Sequence, residues 1–318
     1  MSDVVVLGGA GVDTVVYVPE LPLPYRDSYL VPAIETRAGQ TGDNVAIGLR
    51  ALGLAVTHID VLGDDREGDL VRDLHARYDV PLVAVPTPAG TKRAVNLVDP
   101  QGRRLSLYDG SRGDDGDRLP PEVVAAHAAT ARLVHVSITH PCQHAVESLA
   151  DSPATISTDL HNWDGEDPYH EVFARGADLV FLSATALTDP VATARRVLAA
   201  GRARIVVVTV AAEGGFALVR GEDEAYRYRA VTPPAPVVDS NGAGDAFVSG
   251  FLYGWLAGAP VATCLRYGSV AGAHACTVPS TVIDPIDRDS LLSQSASPAA
   301  RRAATTTGLS GGAQATSQ

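Results

Sequence analysis

The chain is poor in cysteine, which excludes a disulfide framework. Cys142, Cys264 and Cys276 are scattered and odd in number, the usage expected in a reducing cytoplasm. Long hydrophobic runs are missing too: no apolar stretch approaches the roughly 20 residues that a membrane span needs. Basic charge is in deficit, with a formal net charge of -12. That balance argues against a nucleic-acid partner. No basic segment precedes the first apolar run, so Met1-Ser2-Asp3 is not expected to open a secretion signal. What is present is bulk. A chain of 318 residues, 46% of them hydrophobic, suits one large α/β domain with a sizeable core.

One stretch organises the rest. Residues 237–247 read Val-Val-Asp-Ser-Asn-Gly-Ala-Gly-Asp-Ala-Phe. Apolar residues lead in from Pro236 as a strand end would, and a helix-like run follows over 246–257. The first N–H groups of a helix lack partners, and the helix dipole adds positive charge there. A turn of Gly242, Ala243 and Gly244 lets a phosphate approach that bare backbone. Asp245 comes next, placed to take a proton from an attacking hydroxyl. Phosphoryl transfer needs both parts, a cradle for charge and a base for the nucleophile. The same residues also read as a plain glycine turn with a helix cap. In the helix, Ala246, Gly250 and Gly254 make a smooth stripe expected to pack on a sheet, beside a bulky stripe of Phe247, Phe251 and Trp255.

From the start of the chain, residues 4–9 are an apolar run ending in glycines, the pattern of a buried parallel strand. The turn does not spell G-x-G-x-x-G, so dinucleotide binding is poorly supported. Asp13 follows, either as a surface turn residue or as a ligand-binding carboxylate at the end of strand one. Asn44 opens a helix that stops near Gly53, as a cap or as a donor–acceptor pair for vicinal hydroxyls. Residues 91–98 and 103–108 are strand-like around Asp99-Pro100-Gln101-Gly102, a hairpin signal. Lys92, Arg93, Arg104 and Arg112 gather here, as a solvated face or as contacts to a polar substrate. From 121 onward helix and strand patterns alternate, which predicts a parallel doubly wound sheet. His140 and His144 lack a third spaced ligand, so a metal site is not expected there. His161, Asn162 and Trp163 follow a strand end that can face a cleft. Residues 296–318 hold almost no large apolar side chains and are expected to be a disordered tail.

Residues 239–247 resemble the second signature of the ribokinase-like (PfkB-type) carbohydrate kinases, D-T-x-G-A-G-D-x-F, with Ser240 in place of the threonine. Gly39, Gly42 and Asn44 match the first signature, G-G-x-x-x-N-x-A, with Gln40 for its second glycine and Asp43 where a small residue is usual. The resemblance implies a three-layer, doubly wound α/β domain over 1–295, with a mainly parallel sheet. A small β lid is expected from about 14–36 and 91–110. It implies ATP and Mg2+, and phosphorylation of a hydroxyl on a small sugar or polyol. Asp245 would be the base, and the N–H groups of Gly242, Ala243 and Gly244 the anion hole. Asp13, Gly39, Gly42 and Asn44 would hold the substrate. Thr209, Gly214, Ala271 and His274 would border the nucleotide, and Asp239 would serve a monovalent cation such as K+. Dimerisation through the lid follows from the same likeness. The family's N-x-x-E, which helps hold magnesium, is here Ser183 and Ala186. Two alternatives therefore stay open: a nucleoside kinase, with Tyr17, Tyr25, Tyr29 or Trp163 over the base, and a catalytically weak sugar- or nucleotide-binding relative.

Overall fold

The structure, a computed structural model, describes residues 2–112, 116–279, 282–296 and 304–306. In chain order its strands are β1 (Val4–Leu7), β2 (Val12–Tyr17), β3 (Ile34–Ala38), β4 (Val56–Leu62), β5 (Leu82–Pro86), β6 (Arg93–Val98) and β7 (Arg104–Tyr108). Then come β8 (Leu133–Ser137), β9 (Thr155–Asp159), β10 (Leu179–Ser183), β11 (Ile205–Thr209), β12 (Gly215–Val219), β13 (Tyr226–Tyr228) and β14 (Ala304–Thr306). The helices are α1 (Thr41–Ala51), α2 (Arg66–Arg77), α3 (Pro121–Ala128), α4 (His140–Gln143) and α5 (Ala145–Ser148). They continue with α6 (Pro168–Gly176), α7 (Pro190–Ala200), α8 (Ala243–Leu256), α9 (Val261–Ala275) and α10 (Arg288–Ala296).

Strand β1 shows why a continuous apolar run was needed. Successive side chains point to opposite faces of a sheet. Val5 and Leu7 enter one core, and Val4 and Val6 the other. Strand β10 divides in the same way, Val180 and Leu182 against Leu179 and Phe181. The first core lies under α3, α6 and α7, the second under α1, α8 and α9, so the sheet is covered on both faces. Its order is β14-β13-β12-β11-β10-β9-β8-β1-β4-β5, parallel from β5 to β11 and antiparallel beyond. The expected three layers and mainly parallel sheet are present.

Four strands make a second sheet, β3-β2-β6-β7. This is the lid, and it departs from expectation in one respect. Asp13 does not sit at the end of the first large-sheet strand. It lies inside β2, opposite Arg37 of β3 and Ala94 of β6. Gly8 and Gly9, both at positive φ, turn the chain from one sheet to the other.

Helix α8 also differs in which way it faces. The bulky stripe packs on the sheet: Phe251 lies 5.1 Å from Phe181 and Phe247 stacks on Tyr228 at 5.5 Å, ring centre to ring centre. The smooth stripe faces α9 instead, where a side chain at Gly250 would press on Tyr267 O and one at Gly254 on Cys264. The apolar lead-in is not a strand end. Val237 and Val238 are exposed, and Val238 N–H bonds Cys276 O at 2.9 Å. Pro233, Pro234 and Pro236 remove the donors that a ladder would need. Within the segment expected to be a tail, β14 pairs with β13, and the rest from 297 lies outside the described residues.

Candidate active site

Gly242 caps α8 with φ 76, a left-handed conformation that favours glycine. Ala243 N–H turns back to Ser240 O at 3.3 Å. Of the three amides expected to form an anion hole, that of Ala243 is thus engaged within the turn. A Cβ at Gly244 would meet nothing within 4 Å, and the residue is exposed. Asp245 stands in the first turn, where the helix dipole favours its charge.

The first signature meets the second at this carboxylate. Thr41 Oγ1 donates to Asp245 Oδ1 at 2.7 Å, and Asn44 Nδ2 donates to Oδ2 at 2.9 Å. Burial pushes the Asp245 carboxyl above its ordinary range, while nearby His161 and these two hydrogen bonds pull it back. Asn44, expected to hold substrate, thus orients Asp245. Gly42 lets α1 approach the glycine turn, since a Cβ there would overlap Gly8 O. At Gly39 a Cβ would press on Arg37 and Ile283.

Asp13 accepts Gln40 Nε2 at 3.0 Å. Burial raises its carboxyl, against the Gln40 bond and the positive charges of Arg37 and Arg104. Arg37 was not anticipated. Its guanidinium Nε and Nη1 are buried without hydrogen-bond partners, and the carboxylates of Asp13 and Asp245 act on it. Arg104 reaches from β7 to Asn241 Oδ1, joining the lid to the α8 turn. The other basic residues of the lid have structural partners: Lys92 with Asp60 at 3.2 Å, Arg93 with Asp109 at 2.6 Å, and Arg112 with Asp65 at 2.6 Å.

A buried network underlies the floor. Asp43, fully buried, accepts Gln40 N–H at 3.0 Å and Gly11 N–H at 3.1 Å through Oδ2. Its Oδ1 accepts His75 Nε2 at 2.8 Å and lies 3.4 Å from His58 Nδ1. His58 Nε2 donates to Gly8 O at 3.0 Å. Burial alone would raise the Asp43 carboxyl, but His58 and His75 hold it well below the usual range. Burial would lower His58, but the Asp43 carboxylate outweighs it and raises the imidazole. A charged residue inside the run Val56-Thr57-His58-Ile59-Asp60-Val61-Leu62 is the sequence signal for such a network.

Among the residues expected to border the nucleotide, Thr209 closes β11 beside Ser183 of β10. Gly214 has φ 102, and a Cβ there would overlap Tyr228 O. Ala211, standing for a family glycine, holds φ 43. Ala271 is buried with Leu52, Val270, Ile286 and Leu291, and His274 Nε2 meets Asp284 O at 3.1 Å. Gly272 is the residue of that helix that faces Ala243 O. Asp239 is buried, with Oδ1 on Asn241 N–H at 2.8 Å and Oδ2 unpartnered. At the N-x-x-E place, Ser183 Oγ is taken up by Thr185 at 2.8 Å and Ala186 offers a methyl, so this segment does not fit a magnesium ion. Tyr25 is exposed, and Trp163 is buried in the core.

The model of the pfkB family carbohydrate kinases matches residues 1–288. Over 291 residues the chain is 67% identical to the acarbose 7(IV)-phosphotransferase of Actinoplanes sp., spanning 92% of this chain and 97% of that protein. Among solved structures, a microbiome-derived acarbose kinase, Mak1, is 42% identical with a TM-score of 0.85, over 92% of this chain and 98% of that one. Arabidopsis thaliana ribokinase, complexed with ribose and ATP, shares the fold at 20% identity and a TM-score of 0.78, over 92% of this chain and 98% of that one. No helix among the described residues is long and apolar enough to cross a membrane. The chain belongs to the pfkB family of carbohydrate kinases.

Proposed function

We propose that the chain transfers the γ-phosphoryl group of ATP to a hydroxyl of acarbose or an acarbose-like saccharide. The observation that carries this is the junction of the two signatures, where Thr41 and Asn44 hold the Asp245 carboxylate in the first turn of α8, next to exposed Gly244. Asp245 takes the proton from the attacking hydroxyl as the new O–P bond forms and ADP leaves. The N–H groups of Gly242 and Gly244 stabilise charge on the moving phosphoryl oxygens. Asp13 accepts substrate hydroxyls, and the positive charge of Arg37 favours its charged form. Thr209 and Gly214 border the nucleotide. Magnesium would be held by the nucleotide phosphates and water rather than by Ser183 or Ala186, and would supply positive charge there. The unpartnered Oδ2 of Asp239 fits a monovalent cation beside the phosphate turn.

The substrate class follows from the two acarbose-acting relatives at 67% and 42% identity. Of the four aromatic candidates for a nucleoside site, Trp163 is buried in the core and Tyr25 is exposed, so these two do not form a pair over a base. A panel of acarbose, ribose and adenosine with MgATP tests the reading. Acarbose should give ADP release and raise stability by about 2.7 kcal/mol at 100 times its dissociation constant. Turnover with adenosine alone, or stabilisation by acarbose without ADP release, would reject it.

The outer lid face supports a second proposal, a dimer. Val16 pairs with Ile34 and Leu97, and Leu97 with Leu105, so these side chains share one face. Ile34 is 66% and Leu107 54% exposed. A second copy would cover that apolar surface. Light scattering should give twice the chain mass, and Leu107→Asp should return it to one. A wild-type monomer at micromolar concentration would reject the dimer.

A further inference from the structure

At the end of β10, where Ser183 and Ala186 stand in place of the N-x-x-E ligands, the neighbouring strand end brings other donor groups close. Ser183 N–H bonds His161 O at 2.8 Å, so His161 lies directly beside the altered motif. His161 holds φ 50, an unusual backbone for a non-glycine residue. Its own N–H is fixed to Asp159 Oδ1 at 2.8 Å. That bond leaves Oδ2 facing His161 Nδ1 at 3.5 Å. Donor atoms of Asp159, His161 and Asp245 all lie within 4.8 Å of one another. The His161 side chain is 37% exposed and that of Asp159 12%, so the histidine end of the pair is reached by solvent.

We propose that Asp159 and His161 form a divalent-cation site beside Asp245, one that prefers manganese or cobalt to magnesium. The site rests on the reading of the α8 turn as the phosphate end. Two donors 3.5 Å apart can share one ion at bonds of roughly 2.1 Å. Nucleotide phosphates and water would complete the shell, which leaves Asp245 as the base. Magnesium demands oxygen ligands, whereas imidazole suits first-row transition metals, and affinity for a nitrogen-containing site rises from manganese to cobalt.

Pulsed electron paramagnetic resonance on the full chain with Mn2+ and β,γ-methylene-ATP, whose bridge carries no nitrogen, tests this directly. The wild type should show 14N coupling from an imidazole ligand. His161→Asn should abolish it, because asparagine tolerates positive φ but brings no ring nitrogen. The variant should also bind Mn2+ at least about tenfold more weakly. Its Mn2+-to-Mg2+ ratio of kcat/KM should fall by a similar factor. Asp159→Asn, which keeps an oxygen for the His161 amide, should weaken Mn2+ in the same way. Absence of nitrogen coupling in the wild type, or an unchanged metal ratio in both variants, would overturn the site. A wild type that phosphorylates acarbose without nitrogen coupling rejects the metal assignment alone. A wild type that phosphorylates no sugar rejects the functional reading, whatever the spectrum.

Discussion

Asp245→Asn should lower kcat/KM by about 10²–10⁴-fold while ATP still binds, the usual loss for a removed general base. The substitution is nearly isosteric. One amide oxygen can still accept Thr41 Oγ1 or Asn44 Nδ2, which now hold the two carboxylate oxygens at 2.7 and 2.9 Å. The floor of the cleft therefore keeps its shape, and the loss reports proton acceptance. The wild-type pH profile carries a second signature. Burial raises the Asp245 carboxyl above its ordinary value, and a base works only when deprotonated. Activity should thus fall as pH drops through a value above the ordinary aspartate pKa of about 3.9. The variant should lose that acid limb along with its rate. Steady-state kinetics across pH, with nucleotide affinity measured separately, reads both. Retention of most activity by the variant would show that another group takes the proton.

The central strands were legible because burial on both faces demands unbroken apolar runs, as in Val4-Val5-Val6-Leu7. The junction of Thr41, Asn44 and Asp245 was legible only in part. The two signatures could be read, but not that Asn44 serves the base, since the partners are 201 residues apart. Helix α8 shows the limit of periodicity. Spacing separated a smooth stripe from a bulky one, yet either could have faced the sheet. Gly250 and Gly254 went to α9 because two helices approach closely only over small residues.

Which face of α9 meets the α8 turn was hidden for a related reason. One residue along a helix turns the face by 100°, and Gly272 rather than Ala271 meets the α8 turn. Val237 and Val238 looked like a strand by hydrophobicity, but the prolines around them left no ladder. Lys92 looked available to substrate, yet buried Asp60 holds it at 3.2 Å. Pairings of this kind join residues from different elements, so no local pattern reports them. Arg37 was invisible for the same reason, being one of many arginines until the fold placed it against Asp13.

Asp43→Asn should destabilise the fold by about 3–5 kcal/mol, the cost of breaking a buried ion pair. That is a large share of the roughly 5–15 kcal/mol that a domain holds. The carboxylate accepts backbone N–H groups on one side and His75 on the other. An amide has one acceptor oxygen, so its NH2 must face donors on one of the two sides. His58 would also lose the charge that raises it. The sign with pH follows from the two shifts. Asp43 is depressed, so its contribution is present above the ordinary carboxylate value and is lost as pH falls below it. His58 is raised, so its contribution is present below the ordinary histidine value and is lost as pH rises through the folded one. The gap between wild type and variant should therefore be widest at about pH 5–6, between those ordinary values of about 3.9 and 6.5. It should narrow on either side. Calorimetry should find a melting temperature lower by roughly 10 °C in that window. The same loss frees Gly11 and Gln40, which flank Asp13 in the chain and in space. KM for the sugar should then rise more than kcat falls. A flat difference of under about 1 kcal/mol across pH would mean that the network neither carries charge nor braces the substrate loop.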